Sequence, residues 1–418
     1  MVVVVPSFVA SLAAVYCGMH VAKSLGGPAA SAIVGVILAT IPTNIISASR
    51  VLPDAFLDFA LWGSLALVVS AAAHRWRLGF FLAGLLGGYA YIVRSYGLLL
   101  APLGVLPLLG PRGERVTRFI WFLLGLAVVP CGEMIFHGVA TGTPFWTMQI
   151  QQISYTNYPS YLDNSLLYYP RILLFPPRYG FNLGRLSTLL LLCLPVVKWN
   201  RMAKVGAFIG LVWFVYLEFG FVTWSPLTLV NKHPRYLSVL ALPMALVISA
   251  GVDGLLSSRR QLVRWCVRPA ILGTAVWFTF SGVRGAVREA AEARSNLTTY
   301  RTIADAIVGA QPPSVAFPHW RWPLRLNYLT GYAPQYWCGQ DGRNDCRFRV
   351  PGEAEQPRAG EWVIVAPTDP DWPPNGASLP RWMTALPPSW PVVRIVDDVR
   401  ILQVPDRLLG DELEKIGR

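Results

Sequence analysis

Apolar stretches about as long as a bilayer is thick recur through the first 285 residues, and few other patterns restrict a fold so strongly. About ten are readable, at 2–22, 28–47, 55–73, 78–93, 95–110, 119–139, 184–198, 204–224, 236–257 and 267–283. The pair meeting at Arg94 and Ser95 reads either as two short spans or as one kinked hairpin, since Gly97, Pro102, Gly104 and Pro107 interrupt the second piece. Only 14% of the 418 residues are charged, against about 25% in soluble domains. Mean hydropathy is +0.43. The fold class expected is therefore a polytopic α-helical membrane protein. The net charge of +13 does not point to nucleic acid, because no basic stretch in a soluble region is interleaved with aromatics. Sixteen Trp and sixteen Tyr suit interfacial belts and membrane lipids as partners.

The loops between spans alternate in charge. One set holds Lys23, Arg75, Arg77, Arg112, Arg115, Arg118, Lys198, Arg201, Lys204, Arg259, Arg260, Arg264 and Arg268, almost without acids. The other set mixes Arg50, Asp54, Asp58, Arg94, Asp163, Arg171, Arg178, Lys232 and Arg235. Basic loops face the cytoplasm, so both termini of this chain fall on the exocytoplasmic side of a multi-pass protein, with a bacterial plasma membrane as the expected setting. Residues 1–22 lack the basic start of a cleavable signal peptide. The expectation is one further span and loop upstream of Met1; a first helix entering from outside is the alternative.

Two domains are expected, a transmembrane domain over 1–285 and a small exocytoplasmic α/β domain over 286–418. In the second, 287–309 reads as an amphipathic helix, with short strands at 315–317, 362–366 and 392–404. Cys338 and Cys346 are a candidate disulfide if that side is oxidising. The loop 140–182, rich in Tyr and Pro, is expected to lie along the outer membrane surface.

Charged residues near spans are the candidates for chemistry, because burying them in a bilayer is costly. Asp54 follows Pro53 at the outer start of a span, either as an ordinary helix N-terminus or as a carboxylate facing a polar substrate. Arg50 precedes it. Lys232, His233 and Arg235, followed by Tyr236, gather cations within four residues at the outer start of another span. They either anchor the interface or bind phosphate, for which guanidinium supplies a planar fork. Arg94, beside Tyr96, needs a partner or a wet cavity. Glu133 and Glu218 either face a cavity or pair structurally, His137 being one partner in reach. Asp341 and Asp345 make a weak metal site, lacking a nearby His or third carboxylate. No phosphate-binding P-loop, HExxH, GxSxG or CxxC occurs.

The segments SRVLPDAFLDF, AGLLGGYAYIVRSYGLLLAPLGVLPLL, GTPFW and NKHPRYLSVLALP resemble the integral-membrane GT-C glycosyltransferases, in particular the dolichyl-phosphate-mannose mannosyltransferase and aminoarabinose transferase-like proteins. The resemblance covers about residues 10–260. It implies an inverting transfer of a sugar from a polyprenyl-phosphate donor to a lipid, glycan or protein acceptor on the exocytoplasmic face. Carried over by position, Asp54 matches the acidic residue that opens a span, and Arg235 and Tyr236 match a late Arg-Tyr pair facing the same cavity. Lys232, His233, Arg50 and Arg94 would add charge near the carrier phosphate. The family's catalytic acid in a first exocytoplasmic loop has no counterpart here, which leaves Asp54 as the carboxylate of the right type. No cofactor is required; a divalent metal is left open. Two other readings stand: a transporter or flippase for a lipid-linked or anionic solute, and a non-catalytic envelope-assembly subunit.

Overall fold

A computed structural model of the chain describes residues 5–49, 53–145, 167–175, 183, 186–224, 227–229, 232, 234–257, 268–317, 326, 329, 348–349, 357–365, 389–397 and 399–405. The chain divides into two units, Met1–Asn157 with Leu162–Ala290, and Tyr158–Tyr161 with Ala291–Arg418.

The first unit is helical. Its elements are α1 (Val5–Gly26), α2 (Pro28–Thr40), α3 (Pro42–Ser49), α4 (Pro53–His74), α5 (Arg77–Val93), α6 (Gly97–Val105), α7 (Arg112–Thr141), α8 (Tyr168–Leu174), α9 (Leu186–Cys193), α10 (Arg201–Phe219) and α11 (Ala241–Ser257). A short hairpin, β1 (Phe221–Trp224) and β2 (Leu227–Leu229), follows α10, and a 3₁₀ segment, Pro234–Leu240, leads into α11. Prolines open α2, α3 and α4, where the missing N–H costs nothing.

Apolar side chains gain little by leaving lipid for protein, so close packing and buried polar bonds hold such a bundle. Gly84 and Gly88 of α5 meet the backbone of α7 at Phe122 and Leu126, and Gly125 meets Phe81 in return. A Cβ at Gly88 would sit 2.6 Å from the Leu126 carbonyl oxygen, so the two helices pack backbone to backbone through small residues. Ser64 donates to the Ala83 carbonyl at 2.8 Å, tying α4 to α5, and the Trp213 indole donates to the Leu100 carbonyl at 2.7 Å, tying α10 to α6.

Among the described residues, five helical stretches are long and apolar enough to cross a membrane: Val5–Gly26, Pro53–His74, Gly113–Thr141, Arg201–Phe219 and Pro234–Leu255. The chain is an integral membrane protein. The count of about ten is not reached by length and apolarity. The stretch at 28–47 is two helices bent by 66° at Pro42, and Arg77–Val93, Gly97–Leu108 and Leu186–Val196 are shorter apolar helices. The choice left open at Arg94 resolves as two helices joined by a tight turn. The stretch 204–224 ends as helix at Phe219, and the last apolar stretch and the amphipathic one merge into α12 (Arg268–Ala310). Burial ranks the spans: 89% of the apolar window in Pro234–Leu255 and 72% of that in Pro53–His74 are buried, against 17% in Gly113–Thr141. Those two helices are the centre of the bundle, and their starts carry Arg235 and Asp54.

The second unit contains a five-stranded mixed sheet in the order β4-β3-β5-β7-β6, with β3 (Val315–Ala316), β4 (Phe348–Arg349), β5 (Trp362–Val365), β6 (Val392–Val396) and β7 (Val399–Gln403). β3 runs parallel to β4 and β5, and β7 runs antiparallel to β5 and β6, with Val363 opposite Leu402. Ile303, Ala304 and Ile307, from the end of α12, pack on Val315, Phe317, Phe348, Ile364 and Ile401. Just ahead of β5, Glu361 accepts from the Ser314 hydroxyl at 3.0 Å and the Arg358 amide at 3.1 Å. The run expected at 392–404 is a hairpin rather than one strand, turning at Asp397 with φ +55°. Cys338, Cys346, Asp341 and Asp345 lie outside the described residues.

Candidate functional site

Three chain segments far apart in sequence converge on one carboxylate. Asp54 lies in the first turn of α4 and is fully buried. Arg94 leaves the end of α5 in an extended conformation, in a turn closed by Gly97 N–H bonding the Arg94 carbonyl at 2.8 Å. That turn admits no side chain at Gly97, where a Cβ would stand 2.5 Å from the Ala90 carbonyl oxygen. Arg235 comes from the 3₁₀ segment ahead of α11.

The Arg94 guanidinium donates to Asp54 Oδ1 at 3.4 Å, and Arg235 Nε lies 4.0 Å from Oδ2. The side chains grade outward: Asp54 is 1% exposed, Arg94 21% and Arg235 26%. A carboxylate thus forms the floor, and two permanent cations reach toward the opening. Both cations lie near the Tyr236 ring, with the Arg94 and Arg235 guanidinium carbons 5.2 and 5.3 Å from its centroid. Tyr96 packs against the same ring at 5.3 Å, tilted by 56°.

The cluster is under-bonded. Among the described residues Asp54 Oδ2, Arg94 Nε and the Tyr96 hydroxyl are buried without a hydrogen-bond partner. Buried polar atoms are normally satisfied, and each exception asks for an explanation. A water or a ligand that supplies acceptors to the donors and donors to the carboxylate would satisfy these atoms.

Asp58 lies one helical turn deeper on the face of Asp54, and its Oδ1 accepts from the Ser238 hydroxyl at 3.0 Å. That buried bond joins the helix bearing Asp54 to the segment bearing Arg235 and Tyr236. The sequence showed Asp58 at i+4 from Asp54, but nothing local identified Ser238 as its partner.

Lys232 pairs with a carboxylate other than Asp54. Its ammonium is fully buried and bonds Glu218 Oε1 at 2.7 Å. Glu218 also accepts the backbone N–H groups of Leu167 at 2.7 Å and Tyr169 at 3.1 Å. Lys232, expected beside the phosphate, instead helps clamp the start of α8 to the end of α10, because a lysine drawn this deep needs a carboxylate. Glu133 stands 3.8 Å from His137, one of the pairings open to it. Arg50 and His233 lie outside the described residues. No group of three or more His, Cys, Asp or Glu able to hold a metal occurs among the described residues.

No protein-family model matches the chain, and no curated protein sequence matches it. Solved structures do. ArnT from Cupriavidus metallidurans bound to undecaprenyl phosphate aligns with 94% of this chain and 82% of its own, with a TM-score of 0.54 and 14% identity. The apo form of the same protein aligns over 97% and 84%, with a TM-score of 0.47 and 15% identity. At that identity the likeness to the lipid-bound form is one of fold alone: this chain has an ArnT-like membrane fold, in line with the resemblance drawn from the sequence segments.

Proposed function

We propose that the chain is a glycosyltransferase that moves a sugar from a polyprenyl-phosphate donor to an acceptor on the exocytoplasmic face, by a single inverting displacement. The observation that carries the reading is the buried Asp54 carboxylate flanked by the Arg94 and Arg235 guanidiniums, at the starts of the two central helices of this fold. The structural neighbour was solved with undecaprenyl phosphate, which supports a polyprenyl-phosphate ligand. The charge alternation of the loops supports the outer face, and the tail beyond 285 is read as a domain on that side.

The chemistry balances. Asp54 takes the proton of an acceptor hydroxyl, whose oxygen attacks the anomeric carbon. The carbon–oxygen bond to phosphate breaks, and its electron pair leaves with the phosphate. One carboxylate, two guanidiniums and a monoanionic phosphodiester sum to zero before transfer. A neutral Asp54, the same guanidiniums and a dianionic phosphate sum to zero afterwards. Charge moves from the carboxylate to the phosphate while the cations stay fixed, which is the preorganised stabilisation that lowers a barrier.

The 3.4 Å contact between Asp54 and Arg94 also favours a second role for Asp54, as the anchor that orients the guanidiniums. Arg235→Ala decides the phosphate assignment. Turnover of a polyprenyl-linked donor by the folded variant is expected to fall at least a hundredfold, and unchanged turnover sinks it. A donor series differing in sugar then reads specificity.

A further inference from the structure

The end of α6 away from the Arg94–Gly97 turn carries a second feature. A cavity of about 500 Å³ is lined by Pro107, Trp199, Asn200, Arg201, Lys204 and Phe208, among others. Trp213 bonds the Leu100 carbonyl and Pro107, just past α6, shares the cavity wall with Arg201 and Lys204, so α6 and α10 run antiparallel, and the cavity lies at the start of α10, opposite the end that holds Glu218. Nothing in the proposed transfer uses it.

Its wall has two characters. Arg201 and Lys204 stand three residues apart, hence on one face of the helix. Neighbouring Lys198 is paired with Asp253 at 3.5 Å, but among the described residues neither Arg201 nor Lys204 has a carboxylate within ion-pair reach. Asn200 caps the helix by accepting from the Ala203 amide at 3.0 Å. Trp199 is exposed beside these cations. From the cavity an apolar stripe runs along α10: Phe208, Leu211, Val215 and Phe219 are all exposed, at spacings of three and four. Eleven residues of helix rise about 16 Å, close to one leaflet, half of a hydrocarbon core of about 30 Å.

A cationic pocket that ends in a leaflet-long apolar stripe has the shape of one ligand class. We infer that it binds an anionic glycerophospholipid, its phosphate held by Arg201 and Lys204, its glycerol region in the cavity under Trp199, and an acyl chain along Phe208, Leu211 and Val215. A soluble phosphate ester would share the headgroup chemistry but leave the stripe unused.

The test uses the full chain, purified in detergent and titrated in native mass spectrometry with phosphatidylglycerol, phosphatidylcholine and glycerol 3-phosphate. One phosphatidylglycerol is expected to bind at least tenfold more tightly than phosphatidylcholine. Arg201→Ala with Lys204→Ala is expected to weaken it about thirtyfold, at roughly one factor of five per cation near a membrane. Arg201→Lys with Lys204→Arg should retain binding, which separates lost charge from lost folding. Phe208→Ala with Leu211→Ala should weaken the lipid severalfold. Equal affinity for the two phospholipids, wild-type binding by the double alanine variant, or glycerol 3-phosphate binding as tightly as the lipid would each overturn the inference. None of these readouts involves sugar transfer.

Discussion

Two carboxylate–cation sites in the first unit are built from similar parts and finished differently. At Glu218 the carboxylate takes an ammonium at 2.7 Å and two backbone N–H groups, so both of its oxygens are bonded by the protein itself. At Asp54 the nearest cation is 3.4 Å away, the next 4.0 Å, and one carboxylate oxygen is buried without a hydrogen bond among the described residues. The first arrangement spends all of its bonding on holding three chain segments together. The second withholds bonding, and a buried site that does so stays only where surrounding packing enforces it. Completeness of hydrogen bonding, rather than the presence of charge, tells the clamp from the candidate site.

That contrast breaks most decisively at Asp54. Asp54→Asn keeps the shape and removes the proton acceptor. Turnover of a polyprenyl-linked donor should fall by about 10³ to 10⁴, near the upper range for a positioned base, with the melting temperature in detergent little changed. A loss confined to donor affinity, with turnover at saturation intact, would leave Asp54 as an anchor for the guanidiniums. The opposite pattern belongs to Glu218. Glu218→Gln strands a buried ammonium and should cost about 3–5 kcal/mol of stability. Replacing both partners, Glu218→Leu with Lys232→Met, should recover a large part of that loss. If thermal unfolding shows the double variant as unstable as the single one, the clamp works through its backbone contacts and not through the ion pair.

Smaller effects sharpen the comparison. Arg94→Lys keeps the charge but loses the planar fork, so KM for the donor is expected to rise about tenfold while folding is preserved. An unchanged KM would place Arg94 outside the phosphate contacts. Ser238→Ala removes the bond to Asp58 and should cost about 1–3 kcal/mol by leaving a buried carboxylate oxygen unsatisfied. Because that bond aligns the segment of Arg235 with α4, turnover should drop severalfold, and Ser238→Thr should restore it; a stability loss with unaltered turnover would limit the bond to scaffolding.

Much of the architecture was legible because membrane insertion leaves a one-dimensional record. Apolar runs, proline-opened helices and the alternation of basic loops are all local properties, and the helices at 5–26, 53–74 and 77–93 fall close to where hydropathy placed them. Span boundaries were less legible where the apolar run outlasts the helix: residues 221–224 are as apolar as a span but pair into a hairpin. The site was half legible. Asp54, Arg94 and Arg235 were marked by the cost of charge beside a span and Tyr236 by its place after Arg235, and the structure brings these four together. Lys232 carried the same mark and went elsewhere, because residue type reveals that a cation needs a partner but not which one.

The sequence by itself determined that this chain spans a membrane, where its charged residues lie along the spans, and which of them bear a cost that must be met. Only the tertiary structure decided the pairings. Asp54 and Arg94 are 40 residues apart, and Asp58 and Ser238 are 180 apart. No local pattern links such positions. Helix packing sets the distances between them, and distance decides whether a buried carboxylate is satisfied as a clamp or left open as a site.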